Sequence, residues 1–364
     1  MFDTNINDIK WMKRAILLAS LGKGTTSPNP MVGAVILDKN GNLISEGFHY
    51  KSGMPHAEAM AFENLKKDAR GGTIYVNLEP CCHQGKTPPC VDKIISFGIK
   101  KVFISIEDPD KRVSGKGIKL LKDAGIKVHQ GLCEKESQEL NKSFIYRNNT
   151  NNAFGVLKWA MSIDGRVGLK NGKSKWITNE ESRALVHSFR AEFDAIIIGG
   201  NTLRKDNPLL TTRGSKNPEP LRVVFTKSLD LPSKSNLWDC NKAKTIVIYD
   251  SSTANESYLS RIPQCVEVEK VSSDNPELIS KILAKRGFNK VLWECGPRLA
   301  TAAIKSNCIQ EIITFIAPKI IGGEHSMNPF GDFEFREMHE IIKLSDSQLS
   351  LIGNDICVKS SLKN

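Results

Sequence analysis

The chain has 364 residues, 40% hydrophobic and 25% charged, with 51 Lys and Arg against 40 Asp and Glu for a net charge of +11. That composition excludes a disordered or fibrous protein, and no apolar run approaches the roughly 20 residues of a membrane-spanning helix. The positive charge is spread along the chain and forms no arm or single basic face, which suits a small anionic ligand and speaks against nucleic acid.

An amphipathic helix over Lys10–Leu21 comes first, with Trp11, Ala15, Leu18 and Ala19 turned inward. Val32–Leu37 and Leu43–Phe48 read as a hairpin about an Asn40–Gly41 turn. A helix is predicted from Pro55–His56 to about Lys67, then a strand at Thr73–Leu78, a helix at Val91–Phe97 and a strand at Val102–Ile106. Gly117–Ala124 reads as a helix and Lys127–His129 as a short strand. This alternation predicts an α/β unit, a sheet covered by helices. The Asn-rich segment Lys142–Asn152 reads as the link to a second unit.

Within the first half, His56-Ala57-Glu58 is followed by Pro80-Cys81-Cys82-His83 and, eight residues after Cys81, by Cys90. One imidazole and two or more thiols suit tetrahedral zinc. Three ligands leave the fourth position to water, whose pKa zinc lowers while a nearby carboxylate carries its proton. The H-x-E…P-C…C pattern is that of zinc nucleobase deaminases, in which the Glu is acid and base and not a ligand. A closed structural site built from four of His56, Cys81, Cys82, His83 and Cys90 is the alternative, and it leaves Glu58 without a task. The spacing departs from the usual two residues between the cysteines, so these two cannot share a helical turn. Nine cysteines, three of them clustered here, predict a reducing compartment and one metal or catalytic cluster, not a disulfide framework.

The second half restarts the α/β pattern. Strands are predicted at Phe154–Met161, Ala195–Ile198, Leu221–Phe225, Lys244–Tyr249, Val266–Val268, Lys290–Glu294 and Glu311–Ala317. Helices are predicted at Asn179–Phe193, with Asn179 as N-cap, at Pro276–Arg286 and at Gly296–Lys305. Glu340–Val358 reads as a closing hairpin and Gly214–Pro220 as an exposed turn. Two buried strands end in glycine ahead of a helix, at Gly199-Gly200 and at Gly296. A strand, a glycine and a helix N-terminus together cradle phosphate through free backbone N–H groups. Neither site is the dinucleotide fingerprint G-x-G-x-x-G.

Several motifs occur in a fixed order: Asn29-Pro30-Met31-Val32-Gly33, Gly47-Phe48-His49, His56-Ala57-Glu58, Leu78-Glu79-Pro80-Cys81 and His83-Gln84-Gly85-Lys86-Thr87-Pro88-Pro89-Cys90. Together they resemble the deaminase half of the bifunctional riboflavin-biosynthesis deaminase-reductases. The stretches Lys158–Arg166, Ser174–Thr178 and Thr202–Pro208 resemble the reductase half of the same family. The resemblance covers nearly the whole chain and is weakest over Asp230–Ser280 and after Phe330. It implies a cytidine-deaminase-like α/β/α sandwich over 1–147 and a dihydrofolate-reductase-like α/β domain over 150–364. It implies one zinc on His56, Cys81 and Cys90, with Glu58 as proton shuttle, and a substrate pocket lined by Asn29, His49, His83 and Lys86. Cys82 stands where the family often has serine and is not expected to ligate; Ala34 stands where the family often has cysteine, at no expected cost. In the second domain the resemblance implies NADPH contacts at Ala160, Trp176, Thr202, Asp206, Gly296, Pro297, Arg298, Leu299, Ala300, Thr301 and Ala302. It implies substrate contacts at Lys158, Ser174, Arg190, Leu210, Arg213 and Glu294. Arg190 and Arg213 suit phosphate, because guanidinium forks match its oxygens. Arg298 stands where a small polar residue is expected and either meets the pyrophosphate or crowds the helix start.

In folds resembling dihydrofolate reductase the loop after Leu221–Phe225 lies beside the adenosine ribose. There Thr226-Lys227-Ser228 suits a 2′-phosphate, with Asp230 too far along the loop to oppose it. The implied activity is hydrolytic deamination of a diaminopyrimidinone ribosylamino 5′-phosphate, followed by NADPH-dependent reduction of the ribose to a ribityl chain. The implied setting is a cytoplasmic homo-oligomer, dimer or tetramer, with no nucleic-acid or membrane partner. A nucleic-acid-editing deaminase and a non-catalytic zinc-stabilised nucleotide-binding module are the rival readings. Even charge opposes the first, and Glu58 opposes the second.

Overall fold

The computed structural model describes residues 6–83 and 88–363. The chain divides into two compact units, Met1–Thr150 and Asn151–Asn364. The first runs α1 (Ile6–Ser20), β1 (Gly33–Leu37), β2 (Leu43–Phe48), α2 (Ala57–Glu63), β3 (Thr73–Leu78), α3 (Cys90–Ser96), β4 (Lys101–Ile106), α4 (Lys116–Asp123), β5 (Lys127–Gln130) and α5 (Glu134–Thr150).

Its five strands form one sheet in the order β2-β1-β3-β4-β5, antiparallel across β2-β1-β3 and parallel from β3 to β5. Side chains alternate across a strand. Ala34, Ile36, Ile74, Val76, Val102 and Ile104 therefore face one way and pack on residues of α2, α3 and α4. Val35, Leu37, Tyr75 and Phe103 face the other way, onto Met12, Ala15 and Leu18 of α1. This is the α/β/α sandwich expected from the sequence. Two glycines let helices approach closely enough to set the site. A Cβ on Gly47 would stand 2.4 Å from the Ala57 carbonyl, so only glycine lets the start of α2 lie against β2. A Cβ on Gly117 would stand 2.3 Å from the Pro80 carbonyl, which brings α4 onto the segment carrying Cys81.

Two expectations are corrected here. The second helix stops at Glu63, well short of Lys67, as Asn64 leaves the helical region at ψ 8°. The supposed link Lys142–Asn152 is helical as far as Thr150, forming the second half of α5, and the units part just after it. Its polarity hides a narrow buried stripe of Ser137, Asn141 and Phe144. Asn141 accepts the Met31 N–H at 2.8 Å and donates to the Met31 carbonyl at 2.9 Å, taking the place of a strand partner. Arg147 donates to the Pro28 carbonyl at 3.0 Å, so α5 grips the segment that carries Asn29.

The second unit runs β6 (Phe154–Ser162), α6 (Glu180–Arg190), β7 (Ala195–Gly199), α7 (Gly200–Asp206), β8 (Leu221–Thr226), β9 (Thr245–Asp250), β10 (Glu267–Val271), α8 (Pro276–Lys285), β11 (Lys290–Trp293), α9 (Pro297–Lys305), β12 (Glu311–Ala317), β13 (Leu344–Ile352) and β14 (Asp355–Leu362). The nine strands pair in the order β10-β9-β8-β7-β11-β6-β12-β14-β13. The first seven in that order are parallel, and the hairpin β13–β14 closes the β12 edge antiparallel. Asn179 caps α6 as expected, its side chain accepting the Ser182 N–H at 2.7 Å. The chain leaves β7 towards β8 but leaves β11 towards β12. Connections thus part between β7 and β11, and the crevice outside such a pair of strand ends is where open α/β sheets bind ligands.

Cys240 and Cys265 are joined in a single disulfide, a pair that the expectation of a reducing compartment does not foresee. Their separation of 25 residues carries no motif; the fold brings the two Cα atoms to 6.3 Å. Among the described residues no helix is long and apolar enough to cross a membrane.

Candidate active sites

In the first unit three element ends converge. His56 is the N-cap residue of α2, Cys81 follows β3, and Cys90 is the first residue of α3. One ligand atom from each lies within 4.8 Å of the others. Cys81 Sγ and Cys90 Sγ are each 3.5 Å from His56 Nδ1. A tetrahedral ion with Zn–S near 2.3 Å and Zn–N near 2.0 Å has N···S edges of about 3.5 Å, so the donor set fits zinc by both chemistry and size. Its charge points the same way. The Cys90 thiol, with help from His56 and the Cys90 N–H, holds the Cys81 thiol down at about 4, while Cys90, close to Cys81 and buried, is pushed well up. With Cys81 already a thiolate, a bound cation would displace the Cys90 proton and pair with both sulfurs.

Glu58 stands two residues into α2 and is 3% exposed. Burial, and then the neighbouring Cys81, raise its carboxyl to about 7. Cys82 points away, its Sγ 4.0 Å from the Arg112 carbonyl, and is outside the three-donor cluster. His49 is buried; its Nδ1 lies 3.0 Å from the Pro55 carbonyl and its Nε2 3.0 Å from Asn29 Nδ2. A carbonyl only accepts, so Nδ1 carries the proton and Nε2 accepts from Asn29. That neutral ring meets His56 edge-on at 5.6 Å, which places the Asn29–His49 pair against the metal ligand. His83 has a buried Nδ1 without a hydrogen-bond partner. Lys86 lies outside the described residues.

Glu79 was not singled out in the sequence. It is buried, and its carboxylate accepts the N–H groups of Asp108, Gly115 and Ile118 at 3.0–3.2 Å. It thereby ties the end of β3, two residues before Cys81, to the start of α4. An acidic residue beside a Pro-Cys pair is the only signal that could have marked it.

In the second unit the two glycine sites come together at the parting of the strands. A Cβ on Gly199 would lie 3.6 Å from Leu299 of α9, and one on Gly296 would lie 3.9 Å from Thr202 of α7. Gly199, Thr202, Gly296 and Leu299 therefore lie together, while Gly200 is buried against Thr226 and Leu231. Ala160 is half-buried near the end of β6, the Asp206 carbonyl accepts from Lys175 Nζ at 3.2 Å, and Trp176 is 65% exposed with Arg183 over its ring. Arg298 is exposed and does not crowd the helix start. Ala300 and Thr301 are turned inward. Thr301 Oγ1 donates to the Pro297 carbonyl and accepts the Gly331 N–H. Ala302 is half-buried, as is Ser174.

Arg190 is not free to clamp a phosphate. Its Nε and Nη2 donate to the two oxygens of Glu294 at 2.7 and 3.0 Å, and Nη1 donates to the Thr211 carbonyl at 3.2 Å. Lys158 Nζ lies 4.0 Å from the same carboxylate, and both side chains of the Arg190–Glu294 pair are 11% exposed. Burial alone would raise Glu294, but Arg190 and then Lys158 outweigh it and hold the carboxyl at about 2. The drop from its ordinary 4.5 is worth about 3 kcal/mol of folding stability. The folded value is depressed, so that stability is present above about pH 4.5 and is lost as the pH falls towards 2. In urea titrations Glu294→Gln should cost about 3 kcal/mol at pH 7, and the gap from wild type should close as the pH is lowered from about 5 to 2. A gap constant over that range would show that the pair is not what stabilises this site.

Leu210 is buried and Arg213 exposed, at φ +53° and +55°. Lys227 pairs with Asp274, an acidic neighbour that the local sequence does not reveal, while Asp230 faces Arg261 at 3.2 Å.

Comparison with known proteins matches both units. The family profile "Cytidine and deoxycytidylate deaminase zinc-binding region" covers residues 5–106. The profile "RibD C-terminal domain" covers residues 153–358. The riboflavin biosynthesis protein RibD of Synechocystis sp. is 42% identical over 352 residues, covering 96% of this chain and 95% of the relative. The chain belongs to the RibD family. The RibD of Aquifex aeolicus is 39% identical, over 96% of this chain and 97% of its own. Among solved structures, RibD of Acinetobacter baumannii superposes with a TM-score of 0.88 at 32% identity, over 98% and 99% of the two chains. A Thermotoga maritima diaminohydroxyphosphoribosylaminopyrimidine deaminase/5-amino-6-(5-phosphoribosylamino)uracil reductase gives 0.85 at 34% identity, over the same shares. Like these relatives, the RibD-family chain is an enzyme of riboflavin biosynthesis that joins a zinc-type deaminase domain to a reductase domain.

Proposed function

We propose that the first unit hydrolyses the 2-amino group from 2,5-diamino-6-ribosylamino-4(3H)-pyrimidinone 5′-phosphate. The second unit then reduces the ribose of the product with NADPH, giving 5-amino-6-ribitylamino-uracil 5′-phosphate. The observation that carries the first half is a buried carboxyl beside a three-donor N,S,S cluster. A purely structural zinc site has no need of Glu58.

His56, Cys81 and Cys90 would hold one zinc per chain, and the ion supplies Lewis acidity and an acidified water when bound. Glu58 takes up one proton from the attacking water and delivers it to the ring nitrogen, then takes a second from the hydroxyl of the adduct and delivers it to the departing amine. Asn29, His49 and His83 line the pyrimidine pocket, the Asn29–His49 hydrogen bond fixing both side chains. Lys86 reaches the substrate phosphate.

In the second unit the crevice between β7 and β11 takes the cofactor. NADPH supplies hydride when bound. Gly296 and the N–H groups at the start of α9 receive its pyrophosphate, with Ala160, Trp176, Thr202, Asp206 and the rest of Pro297–Ala302 around it. Ser174, Leu210 and Arg213 orient the phosphorylated substrate, and Lys158, Arg190 and Glu294 form the charged floor beneath it. Seven of the nine cysteines are free thiols, which supports a cytoplasmic enzyme. The exposed edge strand β13, with Leu349 and Leu351 71% and 75% exposed, supports a homo-oligomer.

The direct test is to incubate the protein with the diaminopyrimidine phosphate, with and without NADPH, and to identify products by mass. Loss of the amine in both reactions, and a gain of two hydrogens only with NADPH, is the expected result. Cofactor choice is tested separately. An exposed pair such as Lys227–Asp274 is worth about 0–1 kcal/mol, whereas a charged hydrogen bond to phosphate is worth about 1.5–3. Lys227 should therefore exchange Asp274 for a 2′-phosphate. NADPH should be preferred to NADH by at least ~10-fold in kcat/KM, and Lys227→Glu should erase most of the preference. Equal use of both cofactors by the wild type would contradict the NADPH assignment.

A further inference from the structure

Arg213 sits in a stretch where two side-chain-bearing residues other than Asn turn left-handed, Leu210 and Arg213 at φ +53° and +55°, after the left-handed C-cap Asn207 of α7. A non-glycine residue holds that conformation only where its surroundings impose it. The surroundings of Arg213 are specific. Glu219 Oε2 accepts the Thr212 N–H at 2.6 Å, and Glu219 Oε1 accepts the Gly214 N–H at 3.3 Å. These two amides flank Arg213. They converge on one carboxylate because Arg213 and Gly214, at φ +55° and +88°, both turn left-handed. Thr212 is fully buried beneath the turn, and its Oγ1 accepts the Lys216 N–H at 3.1 Å. On the other side the Thr211 carbonyl accepts from Arg190 of the buried pair with Glu294. The Arg213 charge is felt at His187, whose Nδ1 is 3.2 Å from Arg190 Nη1. The turn thus places Arg213 beside the charged floor of the reductase site.

We infer that Glu219 is a positioning residue for Arg213: its carboxylate gathers the two amides around that residue and fixes the guanidinium where the substrate phosphate lies. The inference rests on the reading that Arg213 holds that phosphate. Without the carboxylate the left-handed turn loses its anion, and Arg213 can relax away.

The experiment measures reductase kcat and KM separately, with 5-amino-6-(5-phosphoribosylamino)uracil as substrate, for wild type, Glu219→Ala, Glu219→Gln, Arg213→Ala and the double variant Glu219→Ala/Arg213→Ala. Thermal melts and deaminase activity serve as checks on folding. Glu219→Ala should raise KM about tenfold or more, the worth of one charge-assisted hydrogen bond, with kcat within about twofold. Glu219→Gln keeps one acceptor oxygen and should recover part of the loss. Glu219→Ala should add nothing once Arg213 is alanine. The inference is overturned if Arg213→Ala raises KM while neither Glu219 variant does, if the Glu219→Ala loss falls on kcat, or if the two losses multiply in the double variant. An unchanged KM in Arg213→Ala would remove the phosphate reading, and the inference with it.

Discussion

Glu58→Gln should lower deamination by ~10² or more and leave reduction of deaminated substrate at the wild-type rate. Gln matches Glu in volume and can still hydrogen-bond, so the 3%-exposed position at the start of α2 should tolerate it. What it cannot do is take up and release a proton. His56 is only two residues away, so zinc content has to be measured alongside the rate. A slow variant with full zinc isolates the proton-carrying role, and a slow variant without zinc does not. Deamination within a few-fold of normal, with zinc retained, would remove Glu58 from the chemistry.

The second large effect concerns the metal itself. Wild type should carry one zinc per chain, and Cys81→Ser or Cys90→Ser should lower that to near zero and abolish deamination. A serine hydroxyl stays protonated at neutral pH, so the ion loses an anionic ligand. Cys82→Ser should retain zinc and activity, since the Cys82 sulfur faces the Arg112 carbonyl and not the cluster. Atomic absorption on the three variants decides this. Zinc lost from the Cys82 variant would mean that the loop rearranges around the ion to use a different thiol.

Much of this architecture could be read from the chain because its signals are local. Asn179 caps a helix three residues from the N–H it accepts, and Gly296 precedes a helix that starts on a proline. The ordered motifs around His56, Cys81 and Cys90 imply a ligand set through their resemblance to a known family. What escaped was everything set by partners distant in sequence. The polar segment Lys142–Asn152 looks like a linker until Asn141, just before it, is seen closing both backbone groups of Met31, 110 residues earlier. Arg190 looks like a phosphate clamp until Glu294 fills its fork. Lys227 looks unopposed until Asp274 arrives from the segment beyond β10. Glu79 lies within a motif and Glu219 in none, yet neither role shows in the sequence, because each acts on backbone amides that any sequence making the same turn supplies.

The order of strands in the second unit has a consequence for how the protein is made. β6 is the first strand of that unit to be synthesised, yet its neighbours in the sheet are β11 and β12, which begin at residues 290 and 311. The first unit closes its sheet with residues up to Gln130 and can fold while the rest of the chain is still on the ribosome. β6, with its apolar sequence Phe154–Leu157, must wait with both edges open until most of the second unit has emerged. Such long-range parallel pairing is slow, and open strand edges invite the wrong partner. Truncations within the last fifty residues, or overexpression faster than the tail can close β12 with β14, should therefore yield aggregates whose first unit is already native.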